Sequence, residues 1–284
     1  MIRLCAFSDE ASKSLSGQIE ALKRNNIRLT EIRNIDGKSV KNFTVSEAKE
    51  YTKELEYNGI SVWSVGSPLG KVDINTDINE YLETVKHVCE LANCFKTDKI
   101  RMFSFRNAYG SRDKVIEYLN SMVDTAKAFG VSLCHENEKD IYGDITERVV
   151  DILDNVEGLK CVYDPANFLQ CNENADTTIA ALHSRTEYFH IKDVISATGE
   201  LVPAGYGDGK ISKLVELIDS DKVLTLEPHL KIFDGYASID DSTMKNKFQF
   251  GSNQEAFDAA VSALKKVLCD CGYTEDIKKG VFVK

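Results

Sequence analysis

Short β-rich runs alternate strictly with longer stretches of helical period along this chain, and that order leaves few folds open. The runs are Ile2–Phe7, Arg28–Ile32, Ile60–Val65, Ile100–Phe105, Val131–Glu136, Leu159–Asp164, Tyr188–Ile191 and Val223–Glu227. Between them, apolar residues recur at helical spacing: Leu15, Ile19 and Leu22; the stretch Ser46–Tyr57; Tyr81, Val85, Val88 and Ala92; Val115, Leu119, Met122 and Ala126; Ile145, Val149 and Ile152; Leu214, Leu217 and Ile218. A last helix carries Phe257, Val261, Leu264 and Leu268. Strands joined through helices run parallel with right-handed crossovers. Eight such units predict an α/β fold closed as a (β/α)8 TIM barrel. An open doubly wound sheet is the alternative. It would be expected to place a Gly-rich phosphate loop after the first strand, and FSDEASKSLSG lacks G-x-G-x-x-G.

The 284 residues suit one barrel, for which about 250 is typical. Hydrophobic residues at 43% supply a core, and 4 prolines with 17 glycines leave little room for a long linker. Residues 1–284 are therefore expected to form a single domain, with 233–251 as a candidate lid or contact to another subunit of a homo-oligomer. A net charge of −10 without a basic stripe argues against nucleic acid as a partner. No run approaches the roughly 18 apolar residues of a membrane span. Eight cysteines without a C-x-x-C pair suit free thiols, and MIRLCAFSDEAS has no apolar leader, so a cytoplasmic location is expected.

Four ligand-type residues end four successive runs. They are Glu136, Asp164, His190 and Glu227, separated by 28, 26 and 37 residues. Each interval is about one strand–helix repeat, so a parallel barrel brings all four to one mouth. A single acidic residue at a strand end says little, because such residues cap the next helix. Four in succession say more. Two glutamates, an aspartate and an imidazole form a hard, oxygen-rich set that suits one divalent ion, Mn²⁺, Mg²⁺ or Zn²⁺.

The segments FSDEAS at 7–12, GSPLGK at 66–71, HENEKDIYGD at 135–144, YDPANF at 163–168, HIKD at 190–193, VPAGYGDGK at 202–210 and LEPHL at 226–230 occur in an order with its own meaning. Through them most of the chain resembles the sugar phosphate isomerase/epimerase family with the xylose isomerase-like barrel. The resemblance implies that Glu136, Asp164, His190 and Glu227 hold one divalent ion. It implies an enzyme of carbohydrate metabolism: an isomerase or epimerase of a sugar, sugar phosphate or related polyol acid. Ketose 3-epimerases of that superfamily carry a histidine three residues past the metal aspartate and an arginine six past the metal histidine. This chain has Asn167 and Ser196 there, which points away from free ketoses.

Glu136 and Glu227 come from strands five and eight and can approach a bound sugar from different sides. One can remove a proton beside the carbonyl and the other return it, through a metal-stabilised enediolate. Lys192 shares the parity of His190 and is the third catalytic candidate, with Asp193 as its orienting partner or a helix cap. Asn167, His229, Lys71, Glu31, Glu138 and Tyr142 are candidates to contact substrate. Glu31 and Arg33 have equal parity and can pair with each other. Arg101 opens the expected fourth strand, at the end away from the mouth, and is set aside. His135 points to the opposite face from Glu136, so a hydrogen-bonded place under a helix is at least as good a reading as a substrate role. His87 and His183 fall in helical stretches and are expected at the surface. G-Y-G-D-G-K at 205–210 is either a phosphate loop or a simple turn.

Three other functions compete. An endonuclease of the same barrel would want more histidines than the five here. A dehydratase or lyase would share the enediolate chemistry. A non-catalytic sugar-binding protein would need neither the ion nor paired carboxylates.

Overall fold

The computed structural model describes residues 1–233, 236 and 244–284. Eight parallel strands close into a barrel: β1 (Ile2–Ala6), β2 (Leu29–Ile32), β3 (Ser61–Gly66), β4 (Lys99–Met102), β5 (Ser132–Glu136), β6 (Lys160–Tyr163), β7 (Thr186–Ile191) and β8 (Lys222–Leu226). Each strand pairs with the next, and β1 pairs with β8 from Ile2↔Lys222 to Ala6↔Leu226, which completes the ring. The expected (β/α)8 TIM barrel is the fold.

Helices surround the ring: α1 (Leu15–Arg24), α2 (Val45–Tyr57), α3 (Ile78–Cys94), α4 (Arg112–Ala128), α5 (Thr146–Asn155), α6 (Pro165–Gln170), α7 (Ala175–Leu182), α8 (Ile211–Glu216) and α9 (Asn253–Asp270). Local chemistry starts them where they start. Ser14, Asp77 and Ser252 accept amide N–H groups of the first turns of α1, α3 and α9. Thr44 and Glu47 form a capping box on α2. The apolar stripes then face the sheet: Val85, Val88 and Ala92 of α3 and Val115, Leu119, Met122 and Ala126 of α4 are all buried. No described helix is long and apolar enough to cross a membrane.

Three details differ from the sequence expectation. Helix α8 stops at Glu216, which leaves Leu217 46% exposed beyond its end. Strand β4 ends at Met102, because the amides of Phe103 and Phe105 turn to the carbonyls of Leu69 and Gly70 after β3. A hairpin of Thr274–Asp276 and Val281–Val283 follows α9, and Val281 and Phe282 pair antiparallel with Arg3 and Ile2. It takes the part of the β1 edge that β2 does not reach, since β2 pairs with Cys5 and Ala6.

The expected lid at 233–251 falls partly outside the described residues. Of its described part, the Phe233 and Tyr236 rings pack on His229 at 5.7 and 5.5 Å between centroids. Asn246 donates to the His229 carbonyl at 2.8 Å.

Candidate active site

A strand shows alternate side chains to the barrel interior. Cys5, Cys134, Val162, Tyr188 and Val223 form an apolar plug there. Two residues further along β5, β6 and β7 stand Glu136, Asp164 and His190, and four beyond Val223 stands Glu227. The strand period therefore lifts these four onto the plug at the C-terminal mouth. Their ligand-type atoms all lie within 4.8 Å of one another, and all four residues are buried.

His190 Nδ1 lies 2.9 Å from Glu136 Oε1 and 3.2 Å from Glu227 Oε2. Its Nε2 lies 3.1 Å from Glu31 Oε2, and Glu31 Oε1 accepts the Tyr188 hydroxyl at 2.9 Å. Burial alone would push the imidazole pKa down, but the carboxylates of Glu136 and Glu31 outweigh it and raise it well above the ordinary value.

Asp164 divides its two oxygens. Oδ1 accepts the Asn167 amide at 2.9 Å and so caps α6, while Oδ2 lies 3.1 Å from Lys192 Nζ. Burial raises the Asp164 carboxyl to about 7 against the pull of Lys192. Lys192 Nζ is also 3.8 Å from Glu227 Oε2. Burial opposes the Lys192 charge, but Asp164, Glu227 and Glu138 hold the ammonium protonated far above neutrality. For Glu227, burial opposes ionisation, yet Lys192 and the adjacent His190 and His229 keep the carboxyl well below its usual range.

The donor set fits a divalent cation on chemistry of its own. Asp164 Oδ2 and Glu227 Oε2 are buried without an aligned hydrogen bond among the described residues. Such atoms are costly to leave unsatisfied, and three carboxylates around one point repel each other. A hard ion ligated by oxygens and one imidazole answers both terms.

The structure distributes the other candidates unevenly. Lys71, Glu138, Asn167, Lys192, Glu227 and His229 line one small cavity of about 20 Å³ beside the cluster. Lys71 Nζ pairs with Glu138 Oε2 at 2.9 Å. Asn167 Nδ2 donates to the Asn137 carbonyl at 2.9 Å, and Asn137 exchanges two hydrogen bonds with the Asp164 backbone. His229 has a left-handed backbone at φ 47° and donates its amide to Glu10 Oε2 at 2.8 Å. Glu31 and Tyr142 are not brought to that cavity. Glu31 lies under His190, and Tyr142 packs in the hydrophobic core with its hydroxyl 3.0 Å from Asp151 Oδ2. His135 is fully buried and bonds Ser104 Oγ at 2.9 Å, on the far side of β5 from the cluster. His87 and His183 are half-buried rather than at the surface, bonded to the carbonyls of Phe43 and Leu214.

Arg33 does not pair with Glu31: the strand ends at Ile32, and Arg33 follows it with partners of its own. Its guanidinium grips Asp9 at 2.9 and 3.0 Å, Glu10 at 3.3 Å and Glu227 at 2.8 Å. Arg101 also belongs to the site. Its Nε lies 3.2 Å from Glu136 Oε2, and with β4 ending at Met102 it stands near the mouth, not at the far end. Asp9, Glu10 and Arg101 were therefore missed by strand-end reasoning. The G-Y-G-D-G-K loop is closed on itself: Asp193 accepts the amides of Gly205, Gly207 and Gly209 at 2.9, 3.0 and 2.9 Å. Those donors are committed, so the turn reading fits the loop.

A closed parallel barrel with a cluster of ligand-type residues at its C-terminal mouth defines the class: an α/β barrel with a candidate metal site where barrel active sites lie. The model of the xylose isomerase-like TIM barrel family matches residues 19–246, and the chain belongs to that family. Among solved structures, an L-ribulose 3-epimerase is similar over 95% of this chain and 96% of its own, with 16% identity and a TM-score of 0.74. The probable 3-DHS dehydratase AsbF from Bacillus anthracis is similar over 93% and 99%, with 16% identity and a TM-score of 0.72. The IolI protein with a bound zinc atom is similar over 95% and 97%, with 18% identity and a TM-score of 0.68. No curated protein sequence matches the chain.

Proposed function

We propose that this chain is a divalent-metal-dependent isomerase or epimerase that moves a proton beside the carbonyl of a sugar or sugar derivative. The observation that carries the reading is the convergence of Glu136, Asp164, His190 and Glu227 within 4.8 Å, with buried carboxylate oxygens left without aligned donors. These four residues would hold the ion, of the Mn²⁺, Mg²⁺ or Zn²⁺ class. When bound, such an ion polarises the carbonyl oxygens of the substrate and lowers the cost of removing the neighbouring proton. The epimerase and the zinc-bound protein among the similar folds agree with this reading.

The chain's own residues supply the rest. Glu227, ionised against its burial, is the group placed to accept a proton from carbon. Glu136 enters from β5, across the mouth, and passes a proton drawn from solvent to carbon, while the proton taken up by Glu227 leaves to solvent. Lys192 keeps its charge in the buried site and donates to the substrate oxygen that becomes negative. Lys71, Glu138, Asn167 and His229 line the adjoining cavity and position the substrate hydroxyls. Glu31 holds His190 by its Nε2, which fixes the ring that faces the other ligands.

A dehydratase would use the same first proton transfer, and the similarity to a probable dehydratase keeps that outcome in view. The test is the metal content of the wild type beside Glu227→Gln and His190→Ala, with deuterium exchange from solvent into a panel of sugars, sugar phosphates and sugar acids. One ion per chain, lost in both variants together with C–H exchange, supports the reading. A wild type that takes no divalent ion at saturation removes it. Product mass separates the isomerase, which conserves it, from the dehydratase, which loses water.

A further inference from the structure

The ligand cluster occupies the half of the mouth built by β5 to β8. The half built by β2 to β4 carries a different chemistry. A chamber of about 230 Å³ opens there between the loops after those strands. Arg33, Lys41, Lys71 and Arg101 line it, with Asn34 and Asn42, and none of its described lining residues is acidic. In a chain of net charge −10, four cations around one hollow without an acid in its wall are not the average surface.

These cations are held in position. The Phe103 ring lies 4.3 Å from Lys71 Nζ and 4.6 Å from the Arg101 guanidinium carbon. The Phe7 ring lies 4.3 Å from that of Arg33 and 5.3 Å from that of Arg101. Aromatic faces attract a cation, and carboxylates outside the chamber's wall hold three of the four as well: Arg33 meets Asp9, Glu10 and Glu227, Arg101 Nε lies 3.2 Å from Glu136 Oε2, and Lys71 Nζ lies 2.9 Å from Glu138 Oε2. Arg101 is 3% exposed, and its Nε makes no aligned hydrogen bond. Its Nη1 donates to the Ser67 carbonyl at 3.1 Å, whereas Nη2 makes no hydrogen bond among the described residues. Lys41, at the outer edge, has no ion-pair partner among the described residues.

The chamber adjoins the cluster. Lys71, Arg101 and Phe103 line both it and the small cavity that holds Glu136, Lys192 and Glu227. A chain-like ligand can therefore lie across the mouth, one end at the cluster and the other among the cations. We infer that the chamber is a subsite for an anionic group, a phosphoester or a carboxylate, at the end of the substrate remote from the reacting carbon. The preferred substrates are anionic sugar derivatives, and neutral sugars are poor ones. This inference rests on the proton-transfer reading for its account of the reacting end, while the subsite itself stands on the chamber.

The test is a calorimetric titration of the protein with inorganic phosphate and, separately, with acetate. It is run on metal-loaded and metal-stripped wild type and on Lys41→Met and Lys71→Met. Wild type should bind at least one of the two anions with Kd below about 10 mM in both metal states, and each variant should bind it roughly threefold to tenfold more weakly. Lys41→Met removes an exposed charge and should leave the thermal midpoint unchanged, so its weakening cannot be a folding defect. Stronger binding of phosphate assigns a phosphoester, and stronger binding of acetate assigns a carboxylate. The inference is overturned if neither anion binds, if both variants bind like the wild type, or if binding needs the metal. The proton-transfer reading fails separately, by absence of the ion or of C–H exchange. Exchange that is equally fast for neutral and anionic sugars, without anion binding, removes only the subsite.

Discussion

Lys192 Nζ sits 3.1 Å from Asp164 Oδ2, on the oxygen that the α6 cap leaves open. One carboxylate thus begins a helix with one oxygen and meets the charged centre with the other. The cap fixes its rotamer, so the second oxygen is aimed before any ligand arrives. The first prediction concerns its partner. Lys192→Met removes a cation from among carboxylates, so a divalent ion should bind at least as tightly as in the wild type. Exchange of the substrate C–H proton should fall by about 10²–10⁴-fold, the range for a positioned acid or base. Metal analysis and exchange rates measured on the same preparation decide it. Loss of the metal along with activity would assign Lys192 a structural part instead.

Removing the metal should lower stability. Three buried carboxylates face one another in the cluster, and a ligand that binds only the folded state stabilises it by mass action. At about one hundred times Kd the gain is about 2.7 kcal/mol. For a chain of this size that raises the thermal midpoint by roughly 5–10 °C. Calorimetric scans of stripped and reloaded protein check this. An unchanged midpoint at saturating ion would mean that the cluster does not take it up.

His135 gives stability a pH dependence. Burial pushes its pKa down from 6.5 to about 3, and among the described residues its ring bonds only Ser104. In the unfolded chain it titrates near the ordinary value, so between about pH 6.5 and 3 the unfolded state binds more protons. Stability is therefore full above about pH 6.5 and is lost as pH falls through that window, by at most a few kcal/mol. His135→Gln keeps a hydrogen-bonding group but does not titrate there. The difference in unfolding free energy between the two proteins, followed by denaturant titration, should shrink as pH falls. A constant difference from pH 7 to pH 4 would contradict the assignment.

The barrel was legible because alternation of strand and helix is a property of the whole chain, and eight repeats average out local error. The four ligand-type residues were legible because each ends a strand, so a single rule places all of them. Arg101 was hidden by a boundary of three residues: reading β4 on to Phe105 turned a residue near the mouth into one at the far end. Arg33 was visible, but its partners were not, since Asp9, Glu10 and Glu227 reach it from other strands' ends and no local pattern pairs them. Asp9 and Glu10 lie on a short 3₁₀ turn after β1, and their meeting with Arg33 depends on the pairing of β1 with β2. The basic chamber is likewise a tertiary property, assembled from three loops whose sequences are individually unremarkable.

The last prediction concerns Asp193, which holds the 205–210 loop together. Its carboxylate accepts from Gly205, Gly207 and Gly209 and from the Val194 amide at 3.0 Å. A Cβ on Gly207 would come 2.4 Å from Asp193 Oδ1, so the loop can approach this closely only as glycine. Asp193→Ala strands these amides and should cost about 2–4 kcal/mol, because hydrogen bonds to a charged acceptor are among the stronger ones. Asp193→Asn keeps one acceptor oxygen and should fall between the two. Limited proteolysis should then cut within 203–210 in the alanine variant, and added acetate should restore part of the stability by filling the space of the lost carboxylate. Lys192 is the preceding residue, so C–H exchange should fall as the loop loosens and recover with acetate. An alanine variant as stable and as protease-resistant as the wild type would show that the loop holds its shape without Asp193, and its amides would then be open to an anion after all.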